Sequence, residues 1–185
     1  MQLYDIDVAV TRAINGLAGT NNLPDLVMIW VSAVGVPLLV LAVAAQWWRG
    51  PDRQRNRHVL IAAGLSFLLG LAINQIILLL VHRIRPYDGG ISHLLISPSA
   101  DPSFASDHAT AAFAIAAAFL MHGRRRIGGW FLAAAAVIAI SRVYLGTHYF
   151  GDVLGGAATG ILAGILVRTF YREGTRLDRF VTSIL

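Results

Sequence analysis

Long apolar runs, separated by short polar or basic connections, dominate the pattern of this 185-residue chain. The five runs are 26–48, 59–81, 109–121, 127–145 and 153–170. A bilayer core of about 30 Å requires roughly 20 apolar residues in a helix, so the four longer runs predict spanning helices directly. The run 109–121 reaches membrane length only if its helix starts near Ser106. We therefore predict an all-α fold, a polytopic membrane helical bundle with about five transmembrane helices in a single domain over residues 1–185.

Residues 3–17 show a different pattern, in which apolar side chains recur at steps of three and four. These side chains are Leu3, Ile6, Val10, Ile14 and Leu17. The spacing predicts an amphipathic helix that is too polar to span a membrane. Such an N-terminal helix lies either in the membrane interface or against the end of the helical bundle.

Composition places the chain in the membrane class. Hydrophobic residues make up 56% and charged residues 14% of the chain, whereas a soluble domain carries about 25% charge. Cysteine is absent, which excludes disulfides and thiol chemistry. All fifteen basic residues are arginines that lie between apolar runs and form no stripe, so we predict no nucleic-acid partner. The first 22 residues contain no continuous apolar core, and no cleavable signal peptide is expected.

The arginines also predict the orientation of the helices. With five spans, one side carries arginines 49, 53, 55, 57, 124, 125, 126, 168, 172, 176 and 179. The other side carries only Arg12, Arg83, Arg85 and Arg142. Cytoplasmic loops hold the arginine excess. We therefore expect an outward-facing amino end and a cytoplasmic C-terminus, with loops 82–107 and 146–151 on the outer face.

Two polar clusters on this outer face offer groups that bind anions. Arg83 and Arg85 present planar forks of donors that match phosphate oxygens, although alone they would also fit anchoring to lipid headgroups. Ser106 is a good N-cap for the third apolar helix, which places Asp107 and His108 in its first turn. The free N–H groups and dipole of a helix start bind anions, although a cap beside an interfacial histidine gives the same pattern.

A third cluster adds a nucleophile. Ser141 and Arg142 end the fourth apolar run, and His148 is followed four residues later by Asp152. A carboxylate that accepts the Nδ1 proton of His148 would fix the tautomer and leave Nε2 as the nucleophile. A lone pair at this spacing is also typical of a structural contact, but the preceding Ser–Arg favours a site.

Together the three clusters indicate phosphoryl transfer through a phosphohistidine. One histidine would attack while the other protonates the leaving oxygen, and the arginines would neutralise the phosphate charge. The competing interpretation is a zinc or magnesium site built from Asp88, Asp101, Asp107, His93 and His108. No compact metal-ligand spacing is present and the arginines would repel a cation, so we predict neither a metal nor another cofactor.

These residues resemble the type-2 phosphatidic acid phosphatase superfamily of membrane lipid phosphatases, which shares its site with vanadium haloperoxidases. The resemblance covers about residues 60–170. The family's third motif is Ser-Arg, five residues, His, three residues, Asp, and 141–152 reproduces it completely. The second motif, Pro-Ser-Gly-His, occurs at 105–108 with Ala105 for Pro and Asp107 for Gly. The first motif retains Arg85 and Pro86 but has Leu78 at its lysine position.

The resemblance implies His148 as nucleophile, Asp152 as its orienting partner and His108 as general acid. It also implies that the phosphate is held by Arg85, Arg142 and Ser106. Asp107 shares the helix start with Ser106 and is grouped with these phosphate-binding residues, and Arg83 is expected to replace the missing lysine. Family members commonly have six spans, and the helix over 3–17 is expected to stand in place of the first.

With this resemblance, the predicted function is that of a bacterial inner-membrane lipid phosphatase whose site faces the periplasm. The expected substrates are a polyprenyl pyrophosphate such as undecaprenyl pyrophosphate, phosphatidylglycerol phosphate, phosphatidic acid or a lipid A phosphate. Two alternatives stay open at this point. One is a phosphotransferase with an acceptor other than water, and the other is a lipid-phosphate binding or transport protein that lost catalysis with its lysine.

Overall fold

The computed structural model describes residues 3–48 and 52–183, and every regular element in these ranges is a helix. The helices are α1 Leu3–Asn15, α2 Asn22–Ala44, α3 Arg53–Leu80, α4 Asp107–Met121, α5 Arg125–Tyr144, α6 Phe150–Phe170 and α7 Arg176–Thr182. The predicted all-α bundle is confirmed. Arg49, which was counted among the basic residues of the first loop, lies outside the described residues.

Four of these helices, α2, α3, α5 and α6, are long and apolar enough to cross a membrane. Helix α4, the predicted third span, has 15 residues and is therefore only about 22 Å long. It packs against α3, α5 and α6, and ten of its residues are buried. Its alanines allow all three neighbours to approach, so α4 forms the centre of the bundle.

Glycines recur at steps of four along the fifth apolar run, at 156, 160 and 164, and this spacing predicts close packing with another helix. In the structure these glycines bring α6 close to α4. A Cβ atom on Gly156 would lie 2.5 Å from the carbonyl oxygen of Ser106, and one on Gly160 would lie 2.4 Å from that of Thr110. The backbone N–H of Ser106 donates to the carbonyl of Asp152 at 3.1 Å. The first turns of α4 and α6, which carry the predicted site residues, are therefore held side by side.

Helix α1 packs against α5 and α6 at the end of the bundle, and its fully buried side chains there are polar. Thr11 and Asn15 are its buried residues. Asn15 donates to the carbonyls of His93 and Tyr144 at 2.9 and 2.8 Å. The apolar residues Leu3, Ile6 and Leu17 remain exposed. The helix therefore docks on the bundle end, one of the two predicted placements, and presents an apolar surface as interfacial helices do.

At the opposite end, the short helix α7 is anchored to α3 by a buried carboxylate. Asp178 accepts hydrogen bonds from the hydroxyl of Tyr171 at 2.6 Å and from the Gly174 N–H at 2.8 Å. The Nδ1 atom of His58, in α3, lies 2.8 Å from the same carboxylate. Neither this helix nor its anchor was predicted from the sequence.

Candidate active site

A cavity of about 140 Å³ lies where α4 and α6 begin and α5 ends. It is lined by Leu78, Arg85, Ser99, Asp101, Pro102, Ala105, Asp107, His108, Arg142 and His148. The bundle thus brings together both predicted histidines and two of the three predicted arginines. Arg85 and His148, for example, are 63 residues apart in the chain.

His148 is buried in the loop between α5 and α6, and a backbone carbonyl fixes its orientation. Its Nδ1 atom is 2.8 Å from the carbonyl oxygen of Ser103. Because a carbonyl can only accept, Nδ1 carries the proton and Nε2 is left with its lone pair. Burial of the ring, reinforced by the charges of Arg142 and Arg85, lowers the pKa of His148. The imidazole is therefore neutral at pH 7, as a nucleophile must be.

Asp152 orients this histidine differently from the sequence prediction. Its nearest oxygen is 3.7 Å from His148 Nδ1, beyond hydrogen-bond length. The carboxylate accepts instead from the Ser103 hydroxyl at 2.5 Å and the Tyr149 N–H at 2.8 Å. The predicted hydrogen bond from His148 to Asp152 is thus replaced by one to Ser103, which contacts both residues. Ser103 carries no sequence signal beyond its place in a polar loop.

Arg85 and Arg142 line the cavity, and neither forms an ion pair within the described residues. Three backbone carbonyls hold the guanidinium of Arg85, those of Asp101, Thr147 and Pro102, at 2.8, 2.9 and 3.5 Å. Carbonyls orient this arginine without neutralising it.

Arg142 donates to the hydroxyl of Ser32 in α2, while its Nε is buried without a partner among the residues that the structure describes. A buried donor with no acceptor destabilises the protein until an acceptor arrives. Its position in the cavity wall therefore fits a bound anion. Ser32 was missed by the sequence analysis, although it is the only hydroxyl residue in the run 26–48.

The start of α4 supplies the remaining polar groups. Ser106 occupies the predicted N-cap position, but its hydroxyl makes no capping bond and is buried without a partner. Asp107 lines the cavity, and its carboxylate accepts from Asn74 at 2.7 Å and from Gln75 at 3.5 Å. Half-buried His108 follows it and lines the same cavity. All three residues predicted at this helix start, Ser106, Asp107 and His108, thus line the cavity or directly adjoin residues that line it.

Arg83 is placed away from the cavity, contrary to its expected role as the substitute for the lysine. Its two terminal nitrogens donate to Asp152 and Asp7, each at 2.6 Å. Its guanidinium also lies over the ring of Tyr149, 3.9 Å from the centroid. Leu78 does line the cavity, so the family's lysine position faces the site and no side chain replaces its charge there.

Asn74, in α3, uses its amide group for contacts within the protein. Its amide nitrogen donates to the carbonyl of Ala105 at 2.8 Å and to the carboxylate of Asp107 at 2.7 Å. Both amide hydrogens are thereby used. His93, one of the residues of the competing metal interpretation, does not line the cavity and is exposed beside Asn15 of α1.

The chain is similar to known proteins in both sequence and structure. Undecaprenyl-diphosphatase BcrC of Bacillus subtilis is 35% identical over 177 residues, which cover 95% of this chain and 88% of that protein. The putative undecaprenyl-diphosphatase YbjG of Escherichia coli is 37% identical over 127 residues, or 69% of this chain and 62% of that protein.

Two solved structures share the fold. A transmembrane PAP2 type phosphatidylglycerolphosphate phosphatase of Bacillus subtilis superposes with a TM-score of 0.68 at 24% identity, covering 94% of this chain and 88% of that one. LpxE of Aquifex aeolicus superposes with a TM-score of 0.64 at 24% identity, covering 92% and 100%. The sequence profile of the PAP2 superfamily matches residues 59–176. The resemblance inferred from the three motifs is confirmed, and the chain belongs to the PAP2 superfamily.

Proposed function

We propose that this integral membrane protein is a lipid diphosphatase that releases inorganic phosphate from a polyprenyl diphosphate. The observation that carries the proposal is the cavity, in which His148 and His108 share one space with the unpaired cations of Arg85 and Arg142. A polyprenyl diphosphate is favoured among the lipid phosphates because two relatives are named undecaprenyl-diphosphatases, one of them aligned along 95% of this chain.

The terminal phosphate binds between Arg85 and Arg142. The fork of each guanidinium matches two phosphate oxygens. Arg85 is already held by three carbonyls, so little side-chain freedom is lost on binding. The buried Arg142 Nε and Ser106 hydroxyl gain the acceptor and partner that they lack in the protein alone.

In the first step, Nε2 of His148 attacks the terminal phosphorus. The bond between phosphorus and the bridging oxygen breaks as the N–P bond forms. His108 donates a proton to the leaving oxygen, so the lipid departs as a monophosphate. The positive charge that develops on His148 is stabilised through its Nδ1–H bond to Ser103, behind which lies the carboxylate of Asp152.

In the second step, water attacks the phosphohistidine. His108, now neutral, accepts a proton from that water, the N–P bond breaks and inorganic phosphate leaves. The site returns to its starting protonation state, and no electrons are exchanged with any other group. The arginines stabilise both transition states by the same contacts.

The site faces the periplasm in this proposal. Its support is the arginine distribution along the sequence, in which eleven arginines belong to one side of the predicted spans and four to the other, since cytoplasmic loops hold the arginine excess. A cysteine at Gly90, a residue that is exposed in the outer loop, should react with a membrane-impermeant maleimide in intact cells. Labelling that requires permeabilised cells would reverse the orientation.

The function is tested by phosphate release from detergent-solubilised protein. Undecaprenyl diphosphate, phosphatidylglycerol phosphate and phosphatidic acid are supplied in parallel, with and without chelator. We expect the diphosphate to give the largest kcat/KM, vanadate to inhibit, and His148→Ala to abolish release in every case. Turnover that survives His148→Ala or disappears with chelator would contradict the mechanism. Binding of the lipids without release would favour the transport alternative.

A further inference from the structure

We propose that Asp7 of helix α1 is a positioning residue for the reaction, because it holds Arg83 against Asp152. This inference rests on the proposed phosphatase function. Asp7 lies outside every motif and outside residues 59–176, which the family profile matches. It does not line the catalytic cavity, so any effect on turnover must pass through other residues.

A continuous series of contacts leads from Asp7 to the nucleophile. Asp7 accepts from one terminal nitrogen of Arg83 at 2.6 Å, and the other donates to Asp152 at 2.6 Å. Asp152 accepts from the hydroxyl of Ser103 at 2.5 Å, and the carbonyl of Ser103 accepts from His148 Nδ1 at 2.8 Å. Four contacts, each of hydrogen-bond length, therefore connect the surface helix with the imidazole.

Arg83 needs the carboxylate of Asp7 in addition to that of Asp152 if it is to stay beside Asp152. The side chain of Asp152 is completely buried, and a buried carboxylate that loses its cation is strongly destabilised. The side chain of Arg83 is 24% exposed and lies at the wall of an apolar groove of about 900 Å³ that opens beside α1. A long arginine at such a surface can turn outward to lipid headgroups. Asp7, which lines the same groove, holds it inward.

The carboxylates on both sides of Arg83 shift its pKa. Burial alone would lower the pKa of Arg83, but the hydrogen bond to Asp7 and the charges of Asp152 and Asp7 raise it overall. The guanidinium thus stays charged and is attracted from two sides. Removing the charge of Asp7 leaves Arg83 with one anionic partner and a freed terminal nitrogen.

The same helix offers a matched control. Thr11 lies one turn after Asp7, and its hydroxyl accepts from the N–H of Phe150 at the start of α6. Asp7 also accepts from the neighbouring Gly151 N–H at 2.6 Å. Both residues therefore dock α1 onto α6, but only Asp7 contacts Arg83. Thr11→Val weakens the docking without touching Arg83, and Asp7→Asn keeps an acceptor for Gly151 while it removes the charge.

Because Asp7 acts through Arg83 and does not line the cavity, we expect its replacement to change kcat more than KM. Asp7→Asn should lower kcat for undecaprenyl diphosphate about tenfold and change KM by less than about twofold, because the phosphate-binding groups are untouched. Asp7→Glu retains the charge and should restore about half of the parental kcat. Thr11→Val should stay within about twofold of the parent. In an Arg83→Gln background, Asp7→Asn should have no further effect.

The experiment measures these five proteins and the Asp7→Asn/Arg83→Gln double variant in detergent, with thermal unfolding as the check on folding. If Asp7→Asn is as active as the parent, or if the two substitutions multiply, the positioning role is overturned. An equal loss in Thr11→Val would overturn it as well and assign the effect to docking of α1.

If Asp7→Asn does not fold, equal kcat in folded Asp7→Glu and Arg83→Gln would overturn the role, and a higher kcat in Asp7→Glu would support it. A parent that releases no phosphate from any lipid would instead refute the proposed function, and this inference with it.

Discussion

The close crossing of α4 and α6 should control the geometry of the site, and Gly160→Ala tests this directly. Gly160 lies nearly three turns after the start of α6, where α6 meets Thr110 and Ala114 of α4. Neither Gly160 nor these two residues line the cavity. Any change in turnover must therefore come from a shift of one helix against the other.

The size of that shift follows from the structure. The added Cβ would lie 2.4 Å from the carbonyl oxygen of Thr110 and 2.7 Å from the N–H nitrogen of Ala114. Ordinary contact between such atoms begins near 3.4 Å, so the helices must separate by about 1 Å. Overpacking of this kind destabilises a protein by about 1–3 kcal/mol. A misplacement of about 1 Å at a reacting centre lowers turnover about a hundredfold, or by roughly 2.7 kcal/mol of barrier.

The assay is phosphate release from undecaprenyl diphosphate at a temperature where thermal unfolding shows the variant to be folded. Gly64→Ala is the matched control, because a Cβ at this glycine of α3 meets nothing within 4 Å. We expect parental turnover in Gly64→Ala and about a hundredfold lower kcat in Gly160→Ala. If folded Gly160→Ala turns over substrate as fast as Gly64→Ala, the distance between α4 and α6 does not set the geometry of the site.

Three further predictions concern single groups. Because burial lowers the pKa of His148 and the proposed mechanism uses its neutral form, the acid limb of the kcat/KM profile should lie below the ordinary histidine value of 6.5, and an acid limb above 6.5 would contradict this. Leu78→Lys adds a cation to the cavity wall and should tighten vanadate inhibition about tenfold; it should not rescue Arg83→Ala, since Arg83 lies elsewhere. Burial opposes ionisation of Asp178, but hydrogen bonds led by that of Tyr171 lower its pKa overall. Its ionised form therefore stabilises the fold above pH 3.8, and thermal unfolding should show this contribution lost below that pH in the parent and absent in Asp178→Asn.

The sequence predicted the bundle and the meeting of its motifs because both depend on regular structure. Apolar runs define the helices, and polar groups at the ends of those runs must lie at a membrane face. Ser106 and His108 follow from a helix start, and the contact of α6 with α4 follows from glycine spacing. The length of α4 was harder to predict, because alanine suits a lipid-facing helix and a helix enclosed by others equally well.

The partners of individual atoms could not be predicted outside regular structure. Arg83 and Arg85 are two residues apart in a segment that has left α3, where spacing carries no information on direction. One reaches Asp152 and the other the cavity. Asp7, Thr11 and Asn15 recur at steps of four, and in an amphipathic helix this stripe resembles a solvated face. In the structure it supplies partners to backbone groups that would otherwise be unsatisfied.

Two of the three departures from the family motifs, Leu78 and Asp107, change the charge of the cavity wall. Leu78 removes a cation from the cavity wall, and Asp107 adds a carboxylate that opposes an anionic substrate. The amide of Asn74 moderates the second effect by donating to Asp107. Neither departure touches His148 or the Ser103 contacts that orient it. Interactions made equally with substrate and transition state affect KM more than kcat. We therefore expect these two departures to weaken phosphate binding and to leave the chemical step intact. In the proposed mechanism, phosphate affinity and the orientation of His148 thus depend on different residues.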